Sequence, residues 1–192
     1  MTGYSGSGKT TSAARLSDKN TNVIHLDFYL EGGHGRTANA MQDKEFNSFL
    51  KNNPSAFDDY NSTKPPSKMT AEERKDHWKS LDAFEDQVKA FGREQYKRGK
   101  RVVVEGVQLA DQTIFPDKTY FKDQPVMILG TDIETSTKRG NKRDGISQID
   151  IIAMLTRKSH QEFWSKKLDE LGEIADVKAG EIFTKDLVQR LR

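Results

Sequence analysis

The residues best suited to chemistry stand at the start of the chain, in the stretch MTGYSGSGKTTSAARL. Gly3, Gly8, Lys9 and Thr10 are spaced as G-x-x-x-x-G-K-T, the pattern of a phosphate-binding loop. Glycines let the backbone adopt positive φ, so that successive N–H groups converge on phosphate oxygens. In this pattern the lysine reaches the outer phosphates and the threonine hydroxyl binds magnesium. The Lys9 side chain is expected to face solvent until phosphate arrives. The residues expected to bind a nucleotide are Gly3, Ser5, Gly6, Ser7, Gly8, Lys9, Thr10 and Thr11.

Two carboxylates follow runs of apolar residues that predict strands. Asp27 comes directly after a strand predicted over Val23–Leu26, and Glu105 follows the β-branched run VVV. Ligands of parallel sheets bind at the carboxyl ends of the strands. Asp27 is therefore a candidate to accept or orient the proton of an attacking hydroxyl, and Glu105 to hold magnesium, directly or through water. The alternative is that both are turn or capping residues.

A basic cluster forms a third group of candidate residues. It comprises Lys138, Arg139, Lys142 and Arg143. Spacings of three and four place Arg139 with Lys142 and Arg143 on one side of a helix. Arg139 and Arg143 could stabilise the charge of a phosphoryl group in transfer. The alternative is an ordinary solvated helix face.

Composition limits the classes of protein to consider. The chain has 192 residues, of which 34% are hydrophobic and 31% charged, and its mean hydropathy is −0.81. This length predicts a single domain over 1–192. The net charge of +2 argues neither for nucleic acid nor for a membrane, and no apolar run approaches a bilayer span. The absence of cysteine excludes disulfides and zinc–thiolate sites and is typical of a cytoplasmic protein.

The elements that must position these residues alternate between strands and helices. This order predicts an α/β fold with a parallel sheet flanked by helices. Further strands are predicted in KRVVVEGVQL, QPVMILGTD and ADVKAG. Helices are predicted in DIETSTKRGNKRDG, over Gln148–Leu171 and in TKDLVQRLR.

The clearest predicted element is a long helix after the turn-rich stretch NSTKPPSKM. Thr70 and Glu73 form a capping box at its start, and Gly99 stands at its end. Its apolar residues recur at steps of three or four and predict one face packed in a core. These residues are Trp78, Leu81, Phe84, Val88 and Phe91.

The segment before the glycine pattern is shorter than the strand that ordinarily precedes a phosphate-binding loop. Such a loop follows a buried strand, yet only Met1 and Thr2 precede Gly3. We therefore expect about four to six apolar residues before Met1 in the natural protein, or a domain cut from a longer chain. The alternative is that Met1 and Thr2 form a truncated strand and another segment fills the gap.

Four stretches resemble, in this order, the P-loop kinases of small hydroxyl substrates, and in particular the uridine kinase and nicotinamide riboside kinase families. They are GYSGSGKTT, IHLDFYL, VVVEGV and TDIETSTKRGNKRDG. The resemblance implies the three-layer P-loop NTPase fold, ATP as donor, Mg²⁺, and γ-phosphate transfer to a nucleoside or related metabolite. It matches Asp27, Glu105-Gly106 and the lid arginines Arg139 and Arg143.

The resemblance also divides the chain by role. It implies a lid over 135–145 and a helical insert over 32–70 that shapes the acceptor site. The insert itself matches no known pattern, so the sequence does not identify the acceptor. Its candidate acceptor contacts are His34, Arg36 and Tyr60.

Three alternatives remain open. The stretch TKRGNKRDGISQIDIIAML is similar to the lid region of phage polynucleotide kinases, which phosphorylate 5′-hydroxyl ends. That family has an arginine where this chain has Leu30, so a nucleic acid acceptor is not favoured. Asn141–Asp144 reads N-K-x-D, a guanine-binding pattern of GTP-dependent switches, but about ten polar residues separate it from a strand. A non-kinase ATPase domain would favour two acids after a strand, whereas VVVEG has one.

Overall fold

The computed structural model describes residues 1–3, 7–30, 43–58, 68–110, 128–129, 133–143, 145, 158–159, 161–163 and 165–169. These residues form a mixed α/β fold with parallel strand pairing and helices. The chain divides into two compact units, one of residues 1–15 and 105–192 and the other of residues 16–104. The sequence predicts a single domain over 1–192, and both compact units belong to that range.

The first unit contains two short strands, β1 (Thr2–Gly3) and β4 (Ile128–Leu129), which are numbered by their order in the whole chain. The two pair in parallel, with Thr2 opposite Ile128 and Gly3 opposite Leu129. In addition, the Gly106 N–H donates to the Met1 carbonyl at 3.2 Å. The backbone ahead of the glycine-rich loop is therefore hydrogen-bonded to two distant parts of the chain, β4 and Gly106. That further residues precede Met1 stays a prediction.

Helices complete the first unit. Helix α1 (Lys9–Leu16) begins in the first unit, and helix α5 (Ile133–Arg143) follows strand β4. Within the helix predicted over Gln148–Leu171, the described residues 158–159, 161–163 and 165–169 are helical. Gln161 Nε2 donates to Ser136 Oγ at 2.9 Å, and both side chains are fully buried. The predicted strand ADVKAG and the closing helix lie outside the described residues.

The second unit is built on strand β2 (Thr21–His25), which pairs with β3 (Arg101–Glu105). The predicted strand Val23–Leu26 has the wrong limits, because β2 begins and ends earlier. It ends at His25 because the Leu26 carbonyl accepts the N–H groups of Tyr29 and Leu30, both at 2.9 Å. These bonds turn the chain into the short helix α2 (Asp27–Leu30).

The predicted long helix is confirmed as α4 (Ala71–Lys97). Its capping box is complete, since the Glu73 N–H donates to Thr70 Oγ1 and the Thr70 N–H to Glu73 Oε2. Gly99 has φ of +70°, a conformation that glycine adopts without a steric penalty. The chain therefore leaves α4 where the sequence predicts. Across the described ranges, no helix has both the length and the apolar character needed to cross a bilayer.

An aromatic core holds helix α3 (Lys44–Asn52) against α4. Phe46 is 1% exposed, and its ring centroid lies 5.1 Å from Phe91 and 6.0 Å from Phe84. The predicted apolar face of α4 is buried at Leu81, Phe84, Val88 and Phe91, while Trp78 is half-buried. Burial of such rings stabilises the fold by about 1.5–3 kcal/mol each. Part of the stretch predicted as an insert thus belongs to the core of this unit.

Candidate functional site

The beginning of α1 has the backbone that the glycine pattern requires. Gly8 has φ of +92°, and its carbonyl accepts the Ser12 N–H at 2.9 Å as the first turn of the helix forms. An α-helix leaves its first N–H groups outside its own hydrogen-bond ladder, and its N-terminal end attracts anions. Tyr4, Ser5 and Gly6 lie outside the described residues. The described part of the loop therefore ends in a helix start suited to phosphate.

Two of the sequence-predicted residues are brought into direct contact. Thr10 Oγ1 donates a hydrogen bond of 2.9 Å to Glu105 Oε1, although 95 positions separate them in the chain. Glu105 is the last residue of β3 and is 1% exposed, whereas Thr10 is exposed. A hydroxyl and a carboxylate are hard oxygen donors, the type that Mg²⁺ prefers. The donor chemistry of this pair fits the expected metal.

In the part of the chain that the structure describes, no larger metal-binding cluster accompanies this pair. Within the ranges that the structure describes, no three His, Cys, Asp or Glu side chains are grouped so that they could hold a metal ion. Mg²⁺ usually keeps several waters and binds one or two carboxylates together with substrate phosphates. A single protein carboxylate beside a hydroxyl therefore suits a metal that arrives with a nucleotide.

Lys9 is placed differently from the sequence-based expectation. We expected its side chain to face solvent until phosphate arrives, which is wrong, because Lys9 is 6% exposed. Burial lowers the pKa of the Met1 amino group to about 5; the Glu105 carboxylate opposes this shift and the Lys9 ammonium adds to it. The charges of Lys9 and Glu105 both act at Met1, so they lie in one region of the first unit.

Asp27 belongs to the second unit, as the first residue of α2. Its side chain is half-buried, and among the described residues its buried Oδ1 has no hydrogen-bond partner. A buried carboxylate oxygen that forms no hydrogen bond is costly to keep, by about 1–3 kcal/mol. Such an atom is suited to receive a proton donor from a ligand.

The basic cluster lies on α5, as predicted for a helix. Arg139 and Lys142 are exposed, and the side chain of Arg143 lies outside the described residues. Lys138 Nζ contacts Glu134 Oε1 at 2.6 Å, but both side chains are largely exposed, and such pairs contribute about 0–1 kcal/mol. Asn141 lies in the last turn of α5 rather than after a strand. That position does not favour a guanine-binding role.

Sequence reasoning missed a polar cluster around the end of β2. His25 and Tyr29 lie two positions before and after Asp27, and they contact Asp43 and Asn47 of the next helix. The even spacing of His25 and Tyr29 about Asp27 is visible in IHLDFYL, but each partner lies 18 positions further along the sequence. The candidate acceptor contacts His34, Arg36 and Tyr60 lie outside the described residues.

Comparisons of this chain with protein-family models, with curated proteins and with solved structures found no match.

Proposed function

We propose that this chain is an ATP-dependent kinase of the P-loop type, with the three-layer P-loop fold, that transfers the γ-phosphate to a hydroxyl of a small molecule. The acceptor is a nucleoside or a related metabolite, and the absence of cysteine favours a cytoplasmic setting. The observation that carries the proposal is the 2.9 Å hydrogen bond between Thr10 and Glu105. It joins the end of the G-x-x-x-x-G-K-T pattern to the acid expected to share its metal.

The nucleotide half of the reaction is assigned to the first unit. The loop amides and the start of α1 would hold the phosphates, and Lys9 would neutralise the β- and γ-phosphate oxygens. Thr10 and Glu105 would hold Mg²⁺, which when bound shields the phosphate charge that grows during transfer. A buried Lys9 is preorganised for this task, because its charge, like that of Glu105, already acts at the buried Met1 amino group.

The acceptor half is assigned to Asp27. Its Oδ1, which has no hydrogen-bond partner among the described residues, would accept the proton of the attacking hydroxyl, or orient that hydroxyl toward the phosphoryl group. Arg139 and Arg143 are proposed to neutralise the developing charge as the lid over 135–145 closes. Their role is supported by the helical spacing of α5 and by the resemblance of this stretch to kinase lids.

The proposal is tested by measuring ADP release from ATP across a panel of hydroxyl acceptors. Nucleosides and related metabolites should stimulate release, with a 5′-hydroxyl oligonucleotide included as the alternative acceptor. GTP is offered in place of ATP to examine the switch alternative. Release that needs no acceptor would instead indicate an ATPase, and stimulation by the oligonucleotide alone would indicate a polynucleotide kinase.

Three variants connect the reaction to the proposed residues. Asp27→Asn should lower turnover by more than about 100-fold while nucleotide binding is kept. Glu105→Gln should raise the magnesium concentration needed for half activity by about tenfold.

Lys9→Met, which keeps the volume of the buried lysine stem, should abolish productive ATP binding. The exposed Lys19→Met is its matched control, and ATP binding of normal affinity by Lys9→Met would contradict the proposal.

A further inference from the structure

The segment that carries Asp27 is held from both sides by helix α3. Asp43 Oδ1 lies 2.8 Å from His25 Nδ1, and Asp43 Oδ2 accepts the His25 backbone N–H at 2.9 Å. One turn further along α3, Asn47 Oδ1 accepts the Tyr29 hydroxyl at 2.9 Å. The residues on either side of Asp27 are thus fixed to one face of a single helix. We call His25, Tyr29, Asp43 and Asn47 the β2-end clamp.

Asp43 is used for this contact rather than for its own helix. It occupies the N-cap position of α3, where an aspartate ordinarily accepts a backbone N–H of the first turn, yet its side chain makes no capping bond. Both carboxylate oxygens instead contact His25, and the side chain is 1% exposed. The carboxylate therefore serves the end of β2 in place of the helix.

The clamp fixes the backbone around Asp27 without forming a hydrogen bond to Asp27 Oδ1. The ring of Phe28 stacks on His25 with centroids 4.7 Å apart, which restrains the residue directly after Asp27. Tyr29 is buried, and its N–H and that of Leu30 bond to the Leu26 carbonyl. Asp27 Oδ1 nevertheless has no hydrogen-bond partner among the described residues. This arrangement aims a carboxylate and leaves it open to a ligand.

We propose that Asp43 and His25 are positioning residues that hold Asp27 at the angle needed to accept the proton of the acceptor. This inference rests on the proposed kinase function, since it assigns Asp27 the role of base. Displacing a reacting group by about 1 Å can cost about 100-fold in rate. Loss of the clamp should therefore lower kcat, while ATP binding, which is assigned to the other unit, stays unchanged.

The test compares steady-state kinetics of Asp43→Ala and His25→Ala with the wild-type chain. Both should lower kcat by about 10- to 100-fold and leave the affinity for ATP within about twofold. His25→Asn should recover most of the rate, because an asparagine amide can donate from near the position of Nδ1. Glu45→Gln is the matched control, since it breaks a 2.6 Å ion pair with Lys100 on the same helix α3 outside the clamp.

A double-mutant cycle separates positioning from general damage. In an Asp27→Asn background, Asp43→Ala should lower the residual rate by less than about twofold, because the group that it positions is already disabled. A loss as large as in the wild-type background would overturn the inference. So would an Asp43→Ala protein with wild-type kcat.

Amide hydrogen exchange supplies a readout that needs no activity. Exchange at Tyr29 and Leu30 should be about tenfold faster in Asp43→Ala and unchanged in Glu45→Gln. A wild-type chain without acceptor-dependent ADP release contradicts the proposed function, whereas unchanged exchange in Asp43→Ala overturns the clamp itself. Should Asp43→Ala fail to fold, the same exchange and kinetic measurements on His25→Ala and Tyr29→Phe decide the question, and wild-type kcat and exchange in both would overturn the inference.

Discussion

At the scale of single residues, burial decides how polar groups behave in this protein. Glu105 and Lys9 are buried charges that lie in one region of the first unit, and a buried charge is tolerated where an opposite charge or a hydrogen bond compensates it. Thr10 supplies one such bond to Glu105. Asp27 shows the opposite arrangement, with one buried oxygen that the described residues leave without a hydrogen bond. Compensated charges thus build the site, and the uncompensated oxygen marks where we expect a substrate to bind.

Tyr29 provides a prediction about alkaline pH. Burial raises the pKa of its hydroxyl above the ordinary value, and the nearby negative charge of Asp43 adds to the shift. Below pH of about 10 the folded and unfolded states both keep the proton. Above it only the unfolded state releases the proton, so the free energy of unfolding should fall by up to about 1.4 kcal/mol per pH unit.

The measurement is urea unfolding of wild type and Tyr29→Phe between pH 8 and about 11. Tyr29→Phe should be less stable at pH 8 by about 0.5–1.5 kcal/mol, because it removes the part-buried hydrogen bond that the Tyr29 hydroxyl donates to Asn47 Oδ1. The difference should shrink as the pH rises above about 10. Tyr96→Phe, at a tyrosine that is 81% exposed, is the control and should follow wild type at every pH. A constant difference between Tyr29→Phe and wild type would contradict the prediction.

At the scale of elements, the helices are set by local signals and held by aromatic packing. Helix α4 starts at a complete capping box and ends before a glycine of positive φ. Its buried face packs against Phe46 of α3, and the ring centroid of Phe57 lies 4.2 Å from that of Phe84. Because α3 also carries Asp43 and Asn47, the packing of α3 on α4 fixes the helix that supports the end of β2. The core of this unit and its candidate catalytic residue therefore share one support.

The cap of α4 gives a prediction at this scale. Thr70→Ala removes the side-chain acceptor for the Glu73 N–H and should lower the free energy of unfolding by about 1 kcal/mol. Thr70→Ser keeps a hydroxyl in place and should stay within about 0.5 kcal/mol of wild type. Chemical denaturation monitored by circular dichroism measures both variants. Equal stability of all three proteins would show that the cap contributes nothing.

At the scale of the whole molecule, the proposed reaction assigns different tasks to the two compact units. The first contains the glycine-rich loop, Glu105 and the basic helix α5, and the second contains Asp27 and the clamp. A ligand that binds only the folded state stabilises it by RT ln(1 + [L]/Kd), about 2.7 kcal/mol at one hundred times Kd. Nucleotide binding should therefore be visible as a stability change before any acceptor is known.

We accordingly expect Mg²⁺ and ATP together to raise the Tm of the wild-type chain by about 5–10 °C at saturation. The rise should be absent in Lys9→Met and kept in Lys19→Met. Amide exchange should slow in α1 and around Glu105, the places assigned to the phosphates and the metal. Thermal unfolding with ATP alone, Mg²⁺ alone and both together makes the comparison, and an unchanged Tm with both would contradict nucleotide binding.

The sequence by itself determined the features that depend on neighbouring residues. The capping box of α4 needs only Thr70 and Glu73 three positions apart, and the apolar face of that helix follows from steps of three and four. The positive φ of Gly8 and the helix after it likewise follow from the G-x-x-x-x-G-K-T spacing. Such features form through short-range sterics and hydrogen bonds, which a local pattern records.

Only the tertiary structure decided which distant residues meet and which are buried. Thr10 and Glu105 are 95 positions apart, and His25 and Asp43 are separated by a stretch without a readable pattern. The burial of Lys9 contradicted the expectation for a loop lysine. Long-range contacts form when packing and desolvation compensate the entropy of closing a loop. That balance is a property of the whole fold, and no spacing of residue types along the chain records it.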